Sequence, residues 1–148
     1  MRNLLNMWKT VPGMTKDGSF DVSAFKQWFE RVSDEARKSG HFEMAMFHVG
    51  RVLLYTPRDP SDLWINLEVA DILDKPENEQ IREGYFSEIF DSEGVREYDF
   101  SGKYERENAE LWQNQANEMK KRGFTFFART LERVARQYEL EGDMGEYD

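Results

Sequence analysis

Apolar residues in this chain recur three and four positions apart, the spacing that lines one face of an α-helix. Val22, Phe25, Phe29, Val32 and Ala36 follow it, as do Phe42, Ala45, Val49, Val52 and Leu53. A third series, Phe127, Ala128, Leu131, Val134, Ala135 and Tyr138, keeps the same rhythm. A chain patterned this way buries its apolar surface by packing helix on helix, so the expected class is all-α.

Local signals bound the helices. Asp21 offers an N-cap to the first series and Gly40 a stop; the second series ends before Pro57. Leu67 to Leu73 reads as a short helix capped by Asn66. Pro76 suits the first turn of a helix carrying Ile81, Tyr85, Ile89 and Phe90. Tyr104 to Arg122 reads as a long helix with Tyr104, Asn108, Leu111, Gln115 and Met119 along one stripe. Lys120, Lys121 and Arg122 suit the negative end of its dipole, and Gly123 breaks it. The last helix runs from about Phe124 to Leu140. A short helix over 2–9, with Leu4, Leu5 and Trp8 on one face, brings the expectation to a bundle of about six to seven helices. Residues 11–19 and 58–61 are turn chemistry, and 92–102 is the one stretch suited to a short β-hairpin. The length of 148 residues suits a single domain over 1–148, with an acidic tail at 141–148 expected to fray.

Two parts of the chain share a pattern. Phe29, Val32, Ser33 and Ala36 precede the turn at Gly40, and Ala45, Val49 and Val52 follow it. Trp112, Gln115, Ala116 and Met119 precede the turn at Gly123, and Ala128, Glu132 and Ala135 follow it. Physically each is an antiparallel helical hairpin, with small residues (Ser33 and Ala45, Ala116 and Ala128) where the helices approach. The pattern resembles the tetratricopeptide repeat. Phe29 stands for its Trp, Val32 for its Leu, Ser33 for its Gly, Ala36 for its Tyr, Ala45 and Val49 for its A-x₃-F pair, and Pro57 for its closing Pro. The second copy supplies Trp112 but places polar Gln115 and Glu132 at apolar positions and lacks the Pro. Phe29 and Trp112 lie 83 positions apart, not a multiple of the 34-residue period, so no regular solenoid is expected. A wider set also stands out: Trp8-Lys9, Pro12-Gly13, Asp17-Gly18, Trp28, His48-Val49-Gly50, Pro57, Asp59-Pro60, Leu63-Trp64 and Gly94-Val95. Together these resemble the C-terminal region of large uncharacterised bacterial proteins. That resemblance implies that the chain is the C-terminal part of a longer protein, and it brings no activity with it.

The formal charge is −9, which opposes binding to a phosphate backbone or an anionic membrane. There is no cysteine, hence no disulfide, thiolate metal site or Cys nucleophile. No apolar run approaches the roughly 20 residues that span a bilayer, and a cytoplasmic location is expected. His41 and His48 lie seven apart, about two helical turns, too far to share a metal; capping or packing is expected of both. His41-Phe42-Glu43 matches half of a zinc deaminase motif whose Cys pair is missing. Asp91-Ser92-Glu93-Gly94 fails as a calcium loop, because Val95 and Gly102 fall on the fifth and twelfth ligand positions. Glu79 and Glu83 share one helix face and suit a wet surface.

The expectation is therefore a non-catalytic protein-interaction module with no metal and no cofactor. The alternatives are a self-association or regulatory segment forming a homodimer, and an enzyme of unfamiliar type, which needs a polar pocket joining residues such as His48, Tyr85 and Arg96. Phe126, Arg129, Arg133 and Arg136, spaced three or four apart on the last helix, are the expected partner-binding residues. Phe124 and Phe127 belong to the inward series, so Phe126 must point elsewhere, to a neighbouring segment or to a partner protein or peptide. The alternative for the arginines is an exposed face paired internally through Glu132 and Arg136 at i,i+4.

Overall fold

The computed structural model describes residues 13, 14, 20–93 and 101–146. Six α-helices take in 75% of the described residues, and no strand occurs among them. We number them α1 (Val22–Ser39), α2 (Phe42–Leu53), α3 (Leu67–Asp74), α4 (Glu79–Asp91), α5 (Lys103–Lys121) and α6 (Thr125–Glu146). The helix expected over 2–9 lies outside the described residues, and so does most of the 92–102 stretch, whose residues 94–100 are not described. The described residues up to Ile89 form one compact unit and those from Phe90 a second.

In the first unit the caps are those the sequence signals. Asp21 accepts a hydrogen bond from the Ala24 N–H at 3.1 Å, and Gly40 ends α1 in the left-handed region at φ 76°. Asn66 accepts from the Glu68 and Val69 N–H groups and starts α3. Phe25, Val32 and Ala36 of α1 are buried together with Trp28, while Phe29 is only half-buried. The larger indole thus takes the inward place that helical spacing allots to Phe29. Pro76 does not open α4. It sits in a separate turn, held because the buried Arg82 guanidinium donates to the carbonyls of Leu73, Lys75 and Pro76. These contacts satisfy acceptors at the end of α3 that have no partner within the helix.

In this unit α2 and α4 approach backbone to backbone. A Cβ placed on Gly50 would collide with the Ile81 carbonyl oxygen and lie 2.9 Å from the Tyr85 nitrogen. A Cβ on Gly84 would collide with the Phe47 carbonyl oxygen and lie 3.2 Å from the Arg51 nitrogen. The two glycines let the helix backbones touch, and Val49, Leu53, Ile81 and Tyr85 are buried alongside. Next to the crossing, Arg51 donates to Glu88 Oε1 from Nε at 2.9 Å and Nη2 at 2.8 Å, and the Tyr55 hydroxyl donates to Oε2.

The second unit is dominated by the α5–α6 hairpin. The residues of α5 turned inward are Glu105, Ala109, Ala116 and Met119, with Trp112 half-buried. The stripe through Tyr104, Asn108, Leu111 and Gln115 is therefore corrected by about one residue, and Leu111 is 49% exposed. Close approach to α6 selects the small Ala109 and Ala116 for the seam, and longer side chains are turned to its flanks. On α6, Phe127, Leu131, Val134 and Tyr138 are buried. This helix runs past Leu140 to Glu146, with Gly142 buried close to Gly102 and Glu105 at the start of α5. Contact between the start of one helix and the end of the other makes the pair antiparallel.

An alanine in a helix is normally favoured over glycine by about 1 kcal/mol. At the α2–α4 crossing the sign should reverse. Gly50→Ala and Gly84→Ala are each expected to cost about 2 kcal/mol or more, because overpacking forces the backbones apart. Urea melts of the two variants check this, and unchanged midpoints would remove the crossing. Ala45 and Ala128 are buried as well, so Ala45→Leu and Ala128→Leu should each cost about 1–3 kcal/mol in the same melts.

Candidate functional site

Each residue along α6 turns the direction of its side chain by about 100°. With Phe127, Leu131, Val134 and Tyr138 on the inner side, the opposite side carries Phe126, Arg129, Arg133, Arg136 and Leu140, all exposed. The four residues expected to bind a partner thus share one outward face. Three of them, Arg129, Arg133 and Arg136, line a groove of about 330 Å³ with Gln113 of α5 and with Glu132 and Glu139 of α6. Phe126 does not line the groove. Its ring, 37% exposed, lies beside it with the Arg129 guanidinium 5.6 Å from the ring centre. That contact orients the guanidinium over an apolar surface and leaves its N–H edges to face a carboxylate.

The Glu132–Arg136 ion pair allowed by i,i+4 spacing does not form, and no ion pair among the described residues includes Arg129 or Arg136. The groove thus sets the guanidiniums of Arg129, Arg133 and Arg136 beside the carboxylates of Glu132 and Glu139. Gln113, which completes the wall, is invisible to a reading of α6 alone; only the hairpin brings it there. Leu140 was readable, since it continues the same spacing by four.

The other polar groups lie elsewhere. Arg51, Glu88 and Tyr55 are committed to one another, with the Glu88 side chain only 12% exposed, and they brace α2 against α4. Burial, then the hydrogen bond to Glu88 and its charge, push the Tyr55 hydroxyl up to about 12 against a weaker opposite pull from Arg51. Tyr104 and Tyr138 both donate to Glu93 Oε1. Burial, followed by the Glu93 hydrogen bond, raises Tyr138, and burial alone raises Tyr85. His41 stands at the N-cap position of α2 without a capping bond from its side chain, and the His48 ring meets Phe47 edge-on at 6.1 Å. Tyr85 is buried in the helix crossing and Arg96 lies outside the described residues, so the pocket sought for an enzyme is not assembled from described groups. Among the described residues no group of three or more His, Cys, Asp or Glu could hold a metal ion. No described helix is long and apolar enough to cross a membrane.

Comparisons with protein-family models, with curated proteins and with solved structures find no match to this chain.

The tyrosines set an alkaline limit. A hydroxyl whose pKa is raised on folding keeps its proton in the folded state. Its contribution is whole below the unfolded value near 10 and is lost as pH rises through the folded value. For Tyr55 that window runs from about pH 10 to about 12, and Tyr85 and Tyr138 shift the same way. Stability should fall steadily above pH 10, and Tyr55→Phe should make the fall shallower between pH 10 and 12. Urea melts across this range, with phenolate absorbance followed in parallel, check it; a flat profile refutes it.

Proposed function

We propose that this chain is a non-catalytic protein-interaction module that receives an acidic, partly apolar segment of a partner protein on the outward face of α6. The observation that carries the reading is the convergence of Arg129, Arg133 and Arg136 on one groove beside the half-exposed ring of Phe126, in a chain whose net charge is −9. Clustered guanidiniums are hydrogen-bond donors matched to carboxylates, and a neighbouring aromatic adds apolar burial. The scaffold is consistent with helical-hairpin binding modules. Ser33, Ala45, Ala116 and Ala128 are all buried, as a tetratricopeptide-like seam requires, with one hairpin in each unit. Bound to such a scaffold, the partner meets a helix that is already formed, and little ordering of the module is needed on association.

The test uses a fluorescent peptide of alternating acidic and apolar residues, titrated with the intact chain and followed by anisotropy. The double variant Phe126→Ala with Arg133→Glu should weaken binding at least about tenfold, since one charge-assisted contact is worth about 1.5–3 kcal/mol. Its thermal melt should match the parent's, because both side chains are exposed. Equal affinity of parent and variant rejects the α6 face as the binding surface.

A further inference from the structure

The exposed face of α6 also carries a rhythm that selects the shape of what covers it. Phe126, Arg129, Arg133, Arg136 and Leu140 are spaced three, four, three and four apart, and all five are exposed. This is the 3.5-residue repeat with which one helix presents a straight seam to another. The opposite face of α6 is already buried through Phe127, Leu131, Val134 and Tyr138. The helix therefore has two working stripes, and the outward one has apolar ends and a cationic middle.

We infer that the partner segment is a single amphipathic α-helix with three carboxylates in the middle of its contacting stripe and an apolar residue at each end. This rests on the reading of α6 as the binding face. Length argues for a helix over an extended strand. At 1.5 Å per residue the stripe from Phe126 to Leu140 is about 21 Å long, and a helix with the same 3-4-3-4 spacing matches it residue for residue. Five alternate residues of a strand, about 6.7 Å apart, would span about 27 Å and fall out of step before the far end.

Charge argues for a different protein over a second copy of this one. Two α6 stripes laid antiparallel about a twofold axis at Arg133 would set Arg133 against Arg133 and Arg129 against Arg136, so like charges oppose that dimer. Charge also refines the partner. At about 100° per residue Glu132 and Glu139, which also line the groove and lie seven residues apart, fall together on one flank of the arginine row. They repel carboxylates on that flank and favour a lysine or arginine there. A uniform polyanion such as a nucleic acid would meet those two carboxylates along its length and gains nothing at Leu140. The partner helix thus has a narrow acidic row, apolar ends and a basic shoulder. Because its charged pairs stay near water, the complex should weaken as salt is raised.

The experiment uses the full chain and three synthetic peptides of equal length. The seam peptide carries Leu, Glu, Glu, Glu and Leu at 3-4-3-4 spacing with lysines on one flank. The second peptide places the same five residues at alternate positions, and the third is the seam peptide with a central proline. Anisotropy should give at least tenfold tighter binding for the seam peptide than for either other peptide, and circular dichroism should show it gaining helix on binding. Arg133→Glu should abolish that binding. A seam peptide with lysine in place of its central glutamate should restore it, an outcome that a merely destabilised variant could not produce. Equal or tighter binding of the alternating peptide overturns the helical partner while leaving an acidic-segment module standing. Failure of every peptide to bind the parent chain overturns both readings. Tighter binding of a single-stranded oligonucleotide of equal charge, or a dimer in sedimentation equilibrium that Arg133→Glu disrupts, overturns the proposed partner.

Discussion

Where Gly50 of α2 meets Gly84 of α4, two helices touch backbone to backbone, and the first unit is arranged around that contact. Each glycine costs its helix about 1 kcal/mol relative to alanine. The cost is offset because the missing side chains let Val49, Leu53, Ile81 and Tyr85 close over the crossing from both sides. The same proximity brings Arg51 and Tyr55 within reach of Glu88. A carboxylate that is mostly buried needs its charge and lone pairs matched, and here a guanidinium takes one oxygen and a phenol the other. Near the start of α4, Arg82 plays a comparable part toward the end of α3, satisfying carbonyls that the helix itself leaves open.

The second unit solves a different problem. Two long antiparallel helices can cover only one face of each other, so a large part of α6 must be compatible with water. Arginines meet that need well, since their stems lie along apolar surface while the guanidinium stays hydrated. The division of α6 into an inner apolar stripe and an outer arginine stripe is thus first a solution to solubility. It becomes a site because the arginines share one side and because Phe126 and Leu140 interrupt the polar face at its two ends. The Phe90, Tyr104 and Tyr138 rings, packed near Glu93, hold the far end of the hairpin by aromatic contact and hydrogen bonding.

Much of the architecture is legible in the chain. Asp21 and Asn66 cap the helices they were expected to cap, Gly40 and Gly123 end theirs with positive φ, and Phe126 points away from the core while Phe127 enters it. Pro76 misled because its fixed φ suits a turn as well as a first helical residue, and the contacts of Arg82 chose the turn. The α5 stripe was displaced by about one residue because Leu111 is apolar and Ala109 is small, while the seam rewards smallness over hydrophobicity. The paired glycines went unread as a pair. Two glycines inside helices are a signal of close approach, but nothing along the chain says that position 50 faces position 84.

The sequence by itself determined the helical class, most helix limits and the outward arginine row on α6. Each depends on residues within a turn or two of one another, where rotation per residue, capping hydrogen bonds and backbone sterics act without outside help. Only the tertiary structure decided which helices touch at Gly50 and Gly84, that Trp28 displaces Phe29, and that Gln113 joins Arg129, Arg133 and Arg136 in a groove. Those outcomes join positions far apart along the chain. They are settled by which side chains fill the space between helices, and that depends on the shapes of both partners at once.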